Sequence, residues 1–464
     1  MKKIIILFTV LSLSFSCSNE FTDLAPISNR NEADFFNTAG DLVASLNSSY
    51  AGLQDPGVYN RAYWTMFEMR SDNTDQGGDA TGLARQYTEI NQFTENSLNE
   101  QVDAAWRGSY SVIANCNVIL QRIDKVSDIE EGLKNRIIGE AYFLRSLMYY
   151  HLAVAFGNIP LQLTPFVPGD GLTQVNATAI YTQLAADLAI AETNLPISYS
   201  ASDRGRATKG AAATLLAKVQ LTLGNKANAE ATLRRIIANY NYSLLPNFAN
   251  LWGAANENNA ESIFEVQFKS GGIGQGSFLT NEFSPSGDLQ TGQGFGRNRP
   301  TLALINAFEP GDLRFSSSLG TSYINNAKVV VNQNYGKKQL GSLPTENDSD
   351  INFVVFRYAD VLLMLAEALG ETPESYGLIN QVRTRAGLAN ISSSTPGTFQ
   401  NKLLKERQVE LAFENHRWAD LKRFGVVNQK LLESESDVIN ANDIKDLFFI
   451  PQREMDINPN FVQN

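Results

Sequence analysis

Residues 406–423 read Glu406-Arg407-Gln408-Val409-Glu410-Leu411-Ala412-Phe413-Glu414-Asn415-His416-Arg417-Trp418-Ala419-Asp420-Leu421-Lys422-Arg423. Glu406, Glu410 and Glu414 are four apart, which puts three carboxylates on one face of a helix expected over 398–416. Like charges at that spacing repel by about 0.2–0.5 kcal/mol per pair. Arg407, Arg417 and Arg423 stand close enough to interdigitate with them and offset the repulsion. Two uses fit such a cluster. One is a structural ion-pair network that locks the last helices against the rest of the chain. The other is a carboxylate pair for glycoside hydrolysis. The network is the reading adopted, because nothing in the chain singles out a particular pair among its 49 acids.

Three further stretches of similar density surround this one. Phe356-Arg357-Tyr358-Ala359-Asp360-Val361-Leu362-Leu363-Met364-Leu365-Ala366-Glu367 leads into an apolar helix, and Ile379-Asn380-Gln381-Val382-Arg383-Thr384-Arg385-Ala386-Gly387-Leu388 follows it. The chain closes with Ile450-Pro451, Arg453-Glu454 and Asn458-Pro459. Earlier come Met69-Arg70-Ser71-Asp72-Asn73 and the Trp106 to Tyr110 step. In this order the motifs resemble those of the SusD/RagB family, and the resemblance runs from Cys17 to the C-terminus. It implies a mainly α fold with a tetratricopeptide-like helical repeat scaffold, long irregular loops and a few short strands. It also implies a surface lipoprotein, not an enzyme, that caps a SusC-like TonB-dependent outer-membrane transporter. Such proteins deliver oligosaccharides, or in some members peptides, to that channel.

Helical periodicity is independent of the resemblance. Apolar stripes predict helices over 41–53, 102–123, 137–156, 180–195, 208–223, 227–238, 361–369 and 373–386. Ala212, Ala213 and Ala217 let the 208–223 helix approach its neighbours closely, but no strict 34-residue period runs through the chain. From 270 to 300 glycines alternate with Phe278, Phe283 and Phe295, which reads as loop, and 315–352 reads as a second irregular stretch. Residues 447–450 read as a short strand. The expected organisation is a signal peptide over 1–16 and one domain over 17–464. That domain carries a loop-rich insertion at about 270–352 and closing helices over 353–464.

Lys2 and Lys3, the apolar run from Ile4 to Val10, and small residues leading to Cys17 form an export signal. Cys17 stands where cleavage would leave a cysteine for diacylglyceryl attachment, although Ser14 replaces the leucine usual three residues before it. Plain secretion is the alternative. No later segment approaches the roughly 20 apolar residues of a membrane span. Cleavage removes two lysines from the 38 basic residues and none of the 49 acids, so the mature balance is 36 − 49 = −13. That charge repels phosphate backbones and makes nucleic acid an unsuitable partner.

The catalytic inventory is sparse. His151 and His416 are the two histidines, both in helical patterns, and Cys116 reads as a small core residue. A zinc site or a histidine-based triad is therefore poorly supplied, and neither a metal nor a cofactor is expected. Gly272-Ile273-Gly274-Gln275-Gly276 lacks the Lys-Ser/Thr of a phosphate loop. A sugar site needs flat aromatic faces flanked by amides, carboxylates or guanidinium groups. Residues 55–87 supply that mixture in Tyr59, Trp64, Asp72, Asn73, Gln76, Arg85 and Tyr87. Trp64 fits a core position as well as a platform, and Tyr87 fits either. Phe295, Arg297 and Arg299 in the Gly-rich stretch are the second group of candidates.

Overall fold

The computed structural model describes residues 36–77, 84–167, 171–292, 294–434 and 439–464. Cys17 and the expected signal segment lie outside the described residues. Helix α1 (Ala39–Leu53) opens at Thr38, whose hydroxyl accepts the Asp41 N–H while Asp41 accepts the Thr38 N–H, so two end donors are satisfied reciprocally. Then come α2 (Ala62–Phe67), β1 (Thr74–Asp75) and α3 (Arg85–Asn91). Asn99 caps α4 (Glu100–Arg122) and Glu130 caps α5 (Glu131–Phe156). The short strands β2 (Ile159–Pro160) and β3 (Gln174–Val175) precede α6 (Ala177–Asn194), α7 (Lys209–Thr222) and α8 (Lys226–Asn239).

The second half is more broken. It runs through β4 (Ser262–Val266), α9 (Leu279–Phe283), β5 (Arg299–Pro300), α10 (Leu302–Ala307) and α11 (Phe315–Ser318). After these come β6 (Leu319–Ile324), β7 (Val330–Gly336) and β8 (Phe353–Arg357). The closing helices are α12 (Tyr358–Leu369), α13 (Pro373–Arg385), α14 (Phe399–Glu410), α15 (Arg417–Phe424), α16 (Val427–Glu433) and α17 (Gln452–Ile457).

Eight helices form one continuous row, each packed on the next: α1, α4, α5, α6, α7, α8, α12, α13. This is the paired-helix, tetratricopeptide-like scaffold of a mainly α fold. Close approach is bought with small residues. Ala211, Ala212, Ala213 and Ala217 of α7 are fully buried, and a Cβ on Gly139 of α5 would fall 2.8 Å from Leu195 Cγ. The antiparallel β4–β8 pair aligns Phe264 with Phe356, and Phe264 meets Phe143 of α5 edge-on, with centroids 4.9 Å apart. Strand β8 then runs directly into α12, which joins the ladder to the helix row.

The carboxylate cluster is a buried ion-pair network. Arg357 contacts Glu261 at 2.9 Å, Glu414 at 2.7 Å and also Glu410. Arg314 contacts Asp312, Glu406 and Glu410 at 2.7, 2.6 and 2.9 Å, and Arg385 bridges Glu261 and Glu410. Burial alone would raise the Glu410 carboxyl, but Arg385, Arg357 and Arg314 hold it well below the usual range.

Three local expectations are corrected. The helix expected to His416 stops at Glu410, and Phe413 and Asn415 are left-handed at φ +66° and +62°. The Glu68 carboxylate captures the Phe413 and Asn415 N–H groups at 2.8 and 3.0 Å, in place of helical acceptors. Glu414 is thus brought to the network by a turn and not by the shared helix face. The stretch 315–352 is not wholly irregular, since β6 and β7 form an antiparallel hairpin with Leu319 opposite Gly336 and Ile324 opposite Val330. Residues 447–450 form no strand, because their N–H groups take scattered acceptors: Phe448 bonds the Ala155 carbonyl and Ile450 the Gln463 side chain.

Candidate functional site

Strands β1 and β5 pair antiparallel, Thr74 opposite Pro300 and Asp75 opposite Arg299, and β7 packs alongside β5. The joint is tied by side chains. Thr74 Oγ1 donates to Asn298 Oδ1 at 2.6 Å, Thr301 Oγ1 to the Asp72 carbonyl at 2.6 Å, and the Thr301 N–H to the Asn73 carbonyl at 2.9 Å. At Gly77 (φ +91°) the chain turns so close to the Gly-rich loop that a Cβ would lie 2.3 Å from the Gly296 carbonyl oxygen. Only glycine fits there.

These elements border a cleft of about 600 Å³. Its polar groups are Asp75, the amides of Gln76, Asn91, Gln92, Gln333 and Asn334, the Arg299 guanidinium, and hydroxyls including Thr88 and Thr301, set among apolar surface that includes Pro300, Leu302 and Ile439. Asp75 accepts the Gly77 N–H at 2.7 Å, and burial pushes its carboxyl up. Arg299 Nε donates to the Gly296 carbonyl at 2.8 Å, and burial lowers its affinity for the proton. A neutral cross-strand pair of charges and several amides offers many hydrogen bonds and little net charge, which suits a polyhydroxylated ligand.

A column of flat groups rises beside the cleft. Trp64 is fully buried and stacks on Tyr87, with centroids 5.9 Å apart and planes 7° off parallel. The Arg297 guanidinium lies 4.4 Å from the Tyr87 centroid and 4.9 Å from that of Phe295. Glu282 fixes it at 2.5 Å and also holds Arg61 at 2.8 Å. Phe295, 38% exposed, ends the column at the surface, next to the Gly296 that abuts Gly77 and Arg299.

The residues expected to bind ligand are thus divided. Tyr59 is in the core, its hydroxyl 2.8 Å from His151 Nε2, and is not a platform. Trp64 takes its core role. Tyr87 is only 2% exposed and its hydroxyl is pushed up to about 12 by burial, so it supports the column from within. Asp72 is buried in a two-point ion pair with Arg417 at 2.6 Å. Asn73 donates to Glu68 and accepts from Gln408. Both are consumed by the fold, because their partners lie across the interior. Arg85 is exposed and pairs with Glu89 one turn away. Gln76 and Arg299 line the cleft; Phe295 and Arg297 are not among its lining residues and flank Gly296, which abuts Gly77 and Arg299.

Sequence reasoning passed over Asn91, Gln92, Gln333 and Asn334. Amides in polar segments carry no pattern that marks them before the chain folds. Among the described residues no group of three or more His, Cys, Asp or Glu is disposed to hold a metal, and no helix is long and apolar enough to cross a membrane.

Two family descriptions match the chain: the SusD family over residues 316–464, and a family described as starch-binding and associating with the outer membrane over residues 21–221. SusD-like protein P2 of Formosa agariphila is 30% identical, with 92% of each chain covered. The solved structure of a laminarin-binding SusD-like protein is 27% identical with a TM-score of 0.81, covering 92% of this chain and 99% of that one. A SusD superfamily protein from Bacteroides vulgatus is 26% identical with a TM-score of 0.78 over the same shares. The chain belongs to the SusD/RagB family.

Proposed function

We propose that this protein captures an oligosaccharide in the β1–β5–β7 cleft, without chemistry, and passes it to a SusC-like TonB-dependent transporter in the outer membrane. Cys17 would carry the lipid that holds it at the cell surface. The cleft carries this reading: side-chain amides, one Asp–Arg cross-strand pair and the exposed Phe295 ring match sugar hydroxyls and the apolar face of a pyranose. Likeness to a laminarin-binding protein and to a starch-binding, outer-membrane-associating family supports it further. The acids that could suggest hydrolysis, Glu406, Glu410 and Glu414, are buried in ion pairs, which supports capture over catalysis. Peptide capture would be favoured by backbone hydrogen-bonding groups around the ligand, whereas five residues with side-chain amides border this cleft.

Affinity gel electrophoresis against laminarin, starch and other soluble polysaccharides tests the reading. The wild-type protein is expected to be retarded by at least one, and Gln76→Ala and Gln333→Ala to move more freely. Mobility unchanged by every polysaccharide, with peptides bound instead, would refute it.

A further inference from the structure

A second polar enclosure lies inside the molecule, where α5, α7, β8 and the left-handed turn before α15 meet. It is a cavity of about 20 Å³. Phe67, Val154, Phe353 and Phe356 supply apolar wall, and Tyr59, Tyr150, His151, Lys218, Glu414, Asn415 and His416 bring polar groups to it. Three of these are unfinished. Neither polar atom of the buried Asn415 amide has a hydrogen-bond partner in the protein, and neither has His416 Nε2 or the Tyr150 hydroxyl.

The His416 tautomer follows from its other nitrogen. Lys218 Nζ is 2.9 Å from Asp360 Oδ2 and 3.1 Å from His416 Nδ1. An ammonium only donates, so Nδ1 accepts, and the proton of the neutral ring sits on Nε2. Burial keeps that ring neutral by pushing it down to about 4. The cavity therefore receives an N–H donor from His416 and both a donor and an acceptor from Asn415. A buried amide left wholly unpaired is costly, and few native interiors tolerate one. One water needs roughly 10–15 Å³ of such space and two to four polar partners. The volume here admits one water and no more. The Lys218 ammonium and the Nε2–H dipole disfavour a cation, and the Glu414 carboxylate on the wall is already held by Arg357 and Lys338, so the enclosure does not read as a metal position.

We propose that this cavity is a built site for a single water molecule, hydrogen-bonded to His416 Nε2–H and the Asn415 amide. The water completes the turn that Glu68 holds from below and joins it to the helix row. It lies apart from the ligand cleft, since none of its lining residues borders that space.

The test is a crystal structure of the full mature protein at 1.8 Å or better, with a second crystal soaked in sodium bromide. One well-ordered peak within about 3.2 Å of His416 Nε2 and of an Asn415 side-chain atom, without anomalous signal from bromide, is the expected result. An empty cavity, an Asn415 amide turned onto a protein partner, or a bromide peak would each overturn the proposal. Thermal unfolding of Asn415→Gly gives an independent readout. Glycine tolerates the left-handed φ, and its extra freedom in the unfolded chain roughly offsets the strain it relieves. A water-bonded amide predicts a lower Tm for the variant. A higher Tm would mean that an orphaned group had been removed, and would overturn the site.

Discussion

Asp72 decides between two accounts of the segment that precedes the cleft. Its carboxylate receives Arg417 Nε and Nη2, each at 2.6 Å, and both side chains are about 3% exposed. Replacing Asp72 with Ala leaves the guanidinium buried with the Leu404 carbonyl as its remaining protein acceptor, at 3.1 Å. Breaking a buried pair from one side costs about 3–5 kcal/mol, because the surviving charge is uncompensated. The unfolding entropy of about 2.1 cal/mol/K per residue comes to roughly 0.9 kcal/mol/K for a chain of this size, so the expected fall in Tm is about 3–5 °C. Differential scanning calorimetry measures it. The double variant Asp72→Ala/Arg417→Met should recover a large part of the loss, since it removes the stranded charge. Polysaccharide retardation in affinity gels should match wild type for both variants at temperatures where they are folded. A Tm unchanged by Asp72→Ala, together with weakened retardation, would show that Asp72 faces ligand and would refute the structural assignment.

Other outcomes follow from the same geometry. Burial raises the Glu68 carboxyl to about 7, above its ordinary value near 4.5, so between those values the folded state holds the extra proton. Stability then falls as pH rises from about 4.5 to 7, by roughly 3 kcal/mol at most. Unfolding curves of wild type and Glu68→Gln should therefore separate as pH rises through this window, and parallel curves would argue against it. Phe295→Ala should weaken polysaccharide binding about 5–10-fold, the loss of one ring contact of about 1–1.4 kcal/mol, while Tm stays put. Gly77→Ala, whose Cβ would strike the Gly296 carbonyl, should abolish or sharply weaken binding in the same gels by spreading β1 from the Gly-rich loop. Binding equal to wild type would show that this corner does not shape the cleft.

The helix row was legible because its signals are local. Stripes at helical spacing and end-capping residues such as Thr208 and Thr372 act within a few positions of one another, and their reading needs no knowledge of the fold. The stop at Glu410 was not legible, because the acceptor that ends the helix belongs to Glu68, far away in the chain. The hairpin β6–β7 was hidden for a related reason: its strands mix exposed and half-buried positions and lack the regular apolar–polar alternation of a half-buried sheet. Asp72, Asn73 and Gln76 look alike in sequence, as polar residues of one short run. What separates them is whether an opposite group crosses the interior to meet them, as Arg417 and Gln408 do for the first two.

The same distinction explains why the family was easier to read than the ligand. Arg357, Glu406, Glu410, Arg417, Asp420 and Asp72 supply the sequence motifs, and each is buried and paired inside the protein. Charged groups in that state have strict demands on one another, so the types and spacings that satisfy them form a pattern visible along the chain. The cleft has no such closed set. Its five side-chain amides come from three separate segments, at Gln76, at Asn91 and Gln92, and at Gln333 and Asn334, and no ion pair ties them together. Substituting one of them leaves no buried charge stranded and need not disturb the fold. The motif residues therefore specify the frame, while the cleft residues on which the proposed capture rests are positions that the frame leaves free to vary.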